Sequence, residues 1–485
     1  MTDTPGAPVA STEQLHPPAA EAHRLRGNLG VVAIVFMVLA AAAPLGVIGG
    51  PVPIAIATGN GAGFPATYIV ATLVLLLFAV GFTAMTPFVP QAGAFFSYVN
   101  RSWGLRTAIG TAFVAVVTYA AMETAVYGLL GPQLNALSGT FGGPQFPWWI
   151  WALLAFAVIT YLGYRNIELS SRVLGVLLVA EIAVVVLLDV VIIARGGADG
   201  LSTGIADPAA ITSGAPGIGL LFAIISFLGF EATAIFRDEA HDPDRTIPRA
   251  TYSALILVGV FYAISSWALI SAWGDDEAIR VAGEAPDTML VDTARIYVGT
   301  ITADVIQVLF VTSLFACILS FHNVVSRYLF ALAGRGFLPQ RFAVPHGRHG
   351  SPHRASLALS AVIAVLVVAA VVTGLDPSAQ FYTWLSGITT VGVLGLLVVT
   401  STAVLRFFAA DPRGHSRWRV TVAPAAGLIG LIAFFVLILT NLGSLVGGSA
   451  LLAGVVVGVL VVAFAAGVLL AHRRGARPHT SGSTE

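Results

Sequence analysis

The chain has 485 residues, of which 57% are hydrophobic and 10% charged, and its formal net charge is zero. An ordinary soluble protein carries roughly 25% charged residues, so a solvent-surrounded globule of this length is excluded and an all-α polytopic membrane protein is implied. Zero net charge gives no footing for nucleic-acid binding. All 24 basic residues are arginine, and the single cysteine, Cys317, lies in an apolar stretch, so no internal disulfide framework exists.

Residues 1–27 are polar and rich in Pro and Ala, and are expected to form a tail rather than a cleavable signal, because the apolar run that follows is too long for a signal core. Apolar runs between polar breaks then predict twelve spans, near 29–57, 65–86, 104–131, 147–164, 167–194, 215–240, 249–273, 301–333, 354–374, 379–408, 420–441 and 446–471. They group into a first five-helix unit (28–195), an outer loop with a second five-helix unit (196–408), and two further helices with a tail (409–485).

Span one contains "LAAAAPLGVIGGPVP". Pro44 removes a backbone donor and clashes with the preceding turn, so a continuous helix through Ala43 to Val47 is not expected. Span six contains "SFLGFEATAIF", with an expected break at Phe227, Leu228, Gly229 and Phe230. Unwound backbone at membrane depth must line a cavity or be buried in protein. The start of the second piece of span one, near Gly46 and Val47, offers amides to a carboxylate. The end of the first piece of span six offers carbonyls to an ammonium. Breaks in the first helix of each five-helix unit point to a transporter built from inverted repeats.

Three carboxylates fall deep within spans: Glu123, Glu181 and Glu231. A charge at mid-bilayer costs about 2.5 kcal/mol or more, so each should face a cavity or a partner. Glu123, on span three with Tyr119, either contacts substrate or bonds a neighbouring helix. Glu231 either exchanges protons or caps loose backbone amides. His322 is a relay candidate or a packed histidine. Asp189 and Asp304, near span ends, are expected to be wetted. Between spans seven and eight, the acidic segment from Asp275 to Arg295 predicts a short surface helix. The histidines of "HGRHGSPH" (His346, His349 and His353) read as a basic loop, since no cysteine or carboxylate joins them to make a metal site. With the N-terminus cytoplasmic, twenty-one arginines fall inside and only Arg195, Arg280 and Arg295 outside. Both termini are therefore expected in the cytosol.

The segment "FLGFEATAIFRDEAHDPDRTIPRA" resembles the helix-six signature of the amino acid–polyamine–organocation permeases. Its positions here are Gly229, Phe230, Glu231, Glu239, Asp242, Pro243, Arg245, Ile247, Pro248 and Ala250. "SRYLFALAGRGFLP" (326–339) and "PQAGAFFSYV" (90–99) are similar to further family segments. The resemblance covers about 30–408 and implies a LeuT-like fold: two inverted five-helix repeats, helices one and six broken around a central site, and two added helices. By that resemblance Glu231 links protonation to gating. Glu181 stands where proton-coupled relatives carry a lysine, and either titrates in its place or pairs with a partner such as His322 or an arginine. "APLGV" departs from the family's G-S-G core, and "GRG" after span eight lacks its acidic residue.

The reading is a secondary transporter of amino acids, with no cofactor and a proton gradient as energy source, in the plasma membrane. The expected substrate-binding residues are Ala42, Ala43, Leu45, Gly46, Val47, Tyr119, Glu123, Phe227, Leu228, Gly229 and Phe230; the expected proton-coupling residues are Glu181 and Glu231; no metal is expected. Span one has no charged side chain from Asn28 to Thr58, which favours a neutral zwitterion held by backbone ends. The alternative is a polyamine or organic-amine permease of the same fold. A membrane-embedded enzyme would need clustered nucleophile or metal-binding side chains, which the sequence does not offer.

Overall fold

The computed structural model describes residues 29–89, 94–165, 171–347 and 350–475. Arg24, Arg26, Arg348 and Arg477, residues 90–93 of the segment 90–99, and His349 lie outside them. In chain order the α-helices are α1 (Val31–Ala42), α2 (Pro44–Gly49), α3 (Pro51–Thr58), α4 (Phe64–Met85), α5 (Ala94–Trp103) and α6 (Leu105–Thr140). Next come α7 (Trp148–Tyr164), α8 (Ser171–Arg195), α9 (Pro208–Ile211), α10 (Pro216–Ile225) and α11 (Pro243–Trp273). The chain continues through α12 (Asp275–Glu284), α13 (Met289–Tyr297), α14 (Thr300–Gly334), α15 (His353–Thr373), α16 (Thr383–Ala410), α17 (Ala423–Leu445) and α18 (Ala450–Gly475).

Eleven helical segments among the described residues are long and apolar enough to cross a membrane, and α7 is a shorter apolar helix between two of them, which accounts for the twelve expected spans. At 1.5 Å per residue α7 covers only about 25 Å, so it fits best where its neighbours bring the boundary close. Helix α6 runs nine residues past the expected end of span three, through Pro132. The single surface helix expected between spans seven and eight is two, α12 and α13. Gly274, at φ 86°, turns the chain between α11 and α12. Helix α12 carries Asp275, Asp276 and Glu277 in its first turn, where acids suit the helix dipole.

The first interruption follows from covalent geometry. Pro44 disfavours right-handed helix at the residue before it, and Ala43 adopts φ 48°, ψ 69° instead. Pro44 then opens α2, where its missing donor costs nothing. The same device recurs at Gly50 and Pro51, so the second part of span one is two short helices rather than one. Span six breaks without proline. After α10 the chain turns through 226–229, with Gly229 at φ 106°, a conformation glycine tolerates cheaply. It continues as a 3₁₀ stretch, Phe230–Glu239, rather than as a second α-helix.

The two interrupted spans lie at the centre, and α17 and α18 lie against the outside. Helix α18 packs on α6 through glycine: a Cβ on Gly467 would come within 2.8 Å of the Gly110 Cα, and one on Gly110 within 2.8 Å of the Phe464 ring. Small residues let helix backbones approach without the help of a hydrophobic effect, which lipid does not supply. On the face that carries the arginine-rich loops, guanidinium groups stack on aromatic rings: Arg335 on Phe96, Arg406 on Trp103, and Arg413 on Phe88 and Phe407. Such stacking suits Arg, which has a planar, weakly hydrated head.

Substituting Gly467→Leu is expected to wedge α18 from α6 and destabilise the protein by about 1–3 kcal/mol, as overpacking does, seen as a lower melting temperature in detergent. Gly454→Leu on the same helix, where a Cβ meets nothing within 4 Å, should leave it within error.

Candidate functional site: two interrupted helices and three buried acids

Each interruption exposes backbone N–H groups in a setting without water, and each is met by a carboxylate of this chain. At the first, the Leu45 N–H donates to Glu181 Oε2 at 3.4 Å, and the Gly46 N–H donates to Ser313 Oγ at 3.3 Å. Ser313 in turn donates its hydroxyl hydrogen to Glu181 Oε2 at 2.8 Å. Helices α8 and α14 thus grip the opening turn of α2. Gly46 keeps the approach close, because a Cβ would lie 3.2 Å from the Leu314 side chain, which would have to shift by a few tenths of an ångström.

At the second interruption, Glu231 accepts from the Gly229 N–H at 3.0 Å through Oε2 and from the Tyr119 hydroxyl at 2.5 Å through Oε1. The acid that follows the break therefore caps it and ties it to α6. Tyr119 stacks beside Phe321 and stands near Tyr328, each with ring centroids 6.0 Å away. Phe230 meets Phe78 edge-on at 6.1 Å, and Phe227 packs at 6.3 Å from Tyr68.

Two tyrosines bridge the interruptions. Tyr262 donates to the Ala42 carbonyl at 3.4 Å, where α1 ends. Its ring lies 5.4 Å from Tyr68, whose hydroxyl is 3.0 Å from Ser226 Oγ at the end of α10. Sequence reading gives no signal for Tyr68, Tyr262, Ser226 or Ser313, because one hydroxyl in an apolar span is ordinary and its partner is set by packing.

The structure brings Ala43, Leu45, Gly46, Val47, Tyr119, Phe227, Leu228, Phe230, Glu181 and Glu231 into the buried centre, with Ala42 and Gly229 half-buried beside them. It separates Glu123 from this group. Although Tyr119 and Glu123 are one turn apart on α6, Glu123 Oε1 sits 2.6 Å from His322 Nδ1, and His322 Nε2 sits 2.8 Å from Ser356 Oγ. Glu123 therefore engages α14 and, through it, α15, not the interrupted segments. The pairing of Glu181 with His322 is likewise not what the fold makes, since His322 is committed to Glu123. Asp189 is not wetted: it is buried and accepts from Ser265 Oγ at 2.6 Å. Asp304 is half-exposed.

Both ends of the interrupted pair are fastened. On the arginine-rich face Leu29 pairs with Ala240 in a parallel bridge, and the His241 N–H donates to the Leu29 carbonyl at 2.9 Å. On the opposite face the α12–α13 connection is held by α6, α14 and the start of the α16 span. Gln133 donates to the Asp287 carbonyl at 2.6 Å, Gln307 donates to Gln133 Oε1 at 2.8 Å, and Ser378 donates to Asp287 Oδ1 at 2.7 Å. Beneath α12 a cavity of about 140 Å³ is bounded by Ile54, Thr58, Ile218, Ala282, Thr383 and Leu445. Burial, helped by nearby Asp376, holds the Asp287 carboxyl above the ordinary aspartate value of 3.8, against the opposing bond from Ser378.

Eleven membrane-length segments and the shorter α7 among the described residues, bundled with the first and sixth spans interrupted around buried acids, define a multi-pass transporter of the LeuT-like fold. The family model described as amino acid permease matches residues 33–447, and the chain belongs to the amino acid permease family. It is 27% identical over 95% of both chains to an uncharacterized transporter of Mycobacterium tuberculosis. It is 30% identical to a probable GABA permease of Pseudomonas aeruginosa, over 64% of this chain and 65% of that one. It is 24% identical to the aromatic amino acid transport protein AroP of Escherichia coli, over 71% and 72%. Among solved structures, a point mutant of a manganese transporter of Eremococcus coleocola superposes with a TM-score of 0.59 at 14% identity, covering 93% of this chain and 98% of that one. That likeness is one of fold alone. The relatives are transporters, so the chain is a carrier and not an enzyme.

Two outcomes test this geometry. Tyr119→Phe leaves a buried carboxylate oxygen of Glu231 without its hydroxyl donor and should cost about 1.5–3 kcal/mol, the worth of a hydrogen bond to a charged group. An unchanged melting temperature would show that the bond does not hold the break. Because the Asp287 value is raised in the fold, its contribution to stability is full below 3.8 and fades as pH rises through the folded value. Asp287→Asn should flatten that part of the stability profile when unfolding is followed from acidic to neutral pH.

Proposed function

We propose that this permease carries neutral amino acids into the cell in symport with protons across the plasma membrane, with both termini and the arginine-rich face in the cytosol. The substrate sits between the two interruptions. Its contacts come from the backbone of Ala42, Ala43, Leu45, Gly46 and Val47 on one side, from Phe227, Leu228, Gly229 and Phe230 on the other, and from the Tyr119 ring. No resident cofactor is required, and the proton gradient supplies the energy.

One observation carries the coupling: the Glu181 carboxylate rests on the same opening turn of α2 that a substrate carboxylate would seek. Two carboxylates at one amide, the Leu45 N–H, repel each other and compete for the same donor. A proton on Glu181 removes its charge and weakens its claim on the Leu45 N–H. The Leu45 N–H is then free for the substrate, so proton and amino acid are favoured together. Glu231 acts on the other side, where protonation loosens its hold on the Gly229 N–H and Tyr119 and lets the turn of span six move. Span one has no charged side chain to meet a third charge on the substrate, which supports neutral over cationic cargo. Entry and exit follow from release of the Asp287 clasp on one face and of the Leu29–Ala240 pairing on the other.

The test is uptake of a ¹⁴C-labelled amino-acid mixture by proteoliposomes holding the purified protein. Wild type should accumulate label when the outside is made acidic, and Glu181→Gln should lose that dependence on the gradient. Accumulation by Glu181→Gln that still follows the imposed gradient removes Glu181 from the coupling step. Competition by unlabelled putrescine stronger than by neutral amino acids would move the substrate to the amine class.

A further inference from the structure

Glu123 and His322 form a buried acid–imidazole pair that the site between the interruptions does not use. Both side chains are at most 1% exposed, and 2.6 Å separates Oε1 from Nδ1. The other carboxylate oxygen, Oε2, is buried with no hydrogen-bond partner among the described residues. Leaving a buried carboxylate oxygen unmatched is costly, so its retention calls for a role. The surroundings are shaped for the imidazole: Gly163 on α7 lies against it, and a Cβ there would come within 2.4 Å of the ring.

The pair also leads somewhere. His322 Nε2 meets the hydroxyl of Ser356, which lies in the first turn of α15. Gly163 is the penultimate residue of α7, so the ring sits at the arginine-rich margin of both helices. Three residues before Ser356, His353 begins α15 and packs with Tyr164 and His346, at ring-centroid distances of 5.8 Å and 5.0 Å. Toward the interior, α14 carries Ser313, the partner of Glu181, nine residues before His322. At 1.5 Å per residue that is about 13 Å along the helix. Cys317 stands between them on the helix. One helix thus bears two acid-binding positions, one at the interrupted core and one beside the arginine-rich ends of α7 and α15.

We propose that Glu123, His322 and Ser356 are a proton-transfer site that connects the bundle interior with the solution on the arginine-rich face. The inference rests on the proton-symport reading and adds to it a release route apart from the substrate path. In the transfer the Glu123 Oε1–H bond breaks as Nδ1–H forms. The Nε2–H bond breaks as Ser356 Oγ gains that proton, and, because Ser356 is itself fully buried, the serine's own hydrogen passes to water when the α7–α15 margin opens toward the face. A carboxylate and a neutral imidazole of the other tautomer remain, so one proton has moved and charge balances. The titratable groups facing the pair are Tyr127 on α6, Cys317 on α14, and, beyond Ser356, His353 with Tyr164 and His346.

The experiment uses the full chain in proteoliposomes with the ¹⁴C-labelled amino-acid mixture. Uphill accumulation under an imposed pH gradient is compared with counterflow at equal pH, in wild type, Glu123→Gln, His322→Gln and Ser356→Ala. Accumulation should fall at least about tenfold in the first two, in the range that loss of a proton-transfer group produces. Counterflow, which needs no net proton movement, should fall far less. Ser356→Ala, which removes one hydroxyl and decides the matter should the others not fold, should slow accumulation while sparing counterflow. Wild type that ignores the gradient overturns the symport reading and this route with it. Wild type driven by the gradient, with all three variants driven alike, overturns the route alone. Equal loss of both modes in the two pair variants, with Ser356→Ala unaffected, marks the pair as scaffold and also overturns it.

Discussion

Backbone amides cannot be left bare where there is no water, and this single constraint organises the centre of the molecule. A helix that runs unbroken satisfies its own amides; one interrupted at mid-bilayer must borrow acceptors. Here the borrowed acceptors are Glu181 with Ser313 at the first interruption and Glu231 at the second. Each acid is itself costly to bury, and each becomes tolerable because donors converge on it. The interruptions and the acids therefore explain one another. Removing either alone would leave an unmatched polar group in the core.

The same constraint turns a structural cap into a control element. A carboxylate that holds an amide by its charge holds it less when protonated. A cap made of an ionisable acid is thus weaker in one protonation state than the other, whereas a serine or an asparagine would hold equally in both. Two buried acids act as such caps, Glu181 tied to α2 and α14 and Glu231 tied to α6, and a third, Glu123, is tied to α14 through His322. Helix α14 takes part in two of the three. A shift of that helix would alter both bonds at once, which gives proton binding and conformation a common mechanical element.

Much of this was legible in the chain. The spans follow from apolar runs, and eleven of them needed no tertiary information beyond length and hydropathy. Pro44 dictates the first interruption to within a residue, because a proline ring acts on its immediate neighbour whatever surrounds it. The second interruption has only Gly229 to announce it, and glycine permits a turn without requiring one. The 3₁₀ course of the segment after it left no mark in the pattern. The splitting of span one's second piece at Gly50 followed the same proline rule through Pro51 and was there to be read.

Partner choice was not legible, and the acids show why. Tyr119 and Glu123 share a helix and are one turn apart, yet one reaches Glu231 and the other His322. Which neighbour each meets depends on the rotation of α6 against α10 and α14, and that rotation is set by close glycine contacts and side-chain volumes spread over the whole bundle. Asp189, expected in water, lies against Ser265 for the same reason. The sequence by itself determined a membrane carrier with two interrupted spans and acids at depth, since local covalent geometry and hydropathy act over a few residues. Only the tertiary structure decided which donor each acid meets and which acid lies beside the ends of α7 and α15, because those choices depend on how helices far apart in the chain are turned against one another.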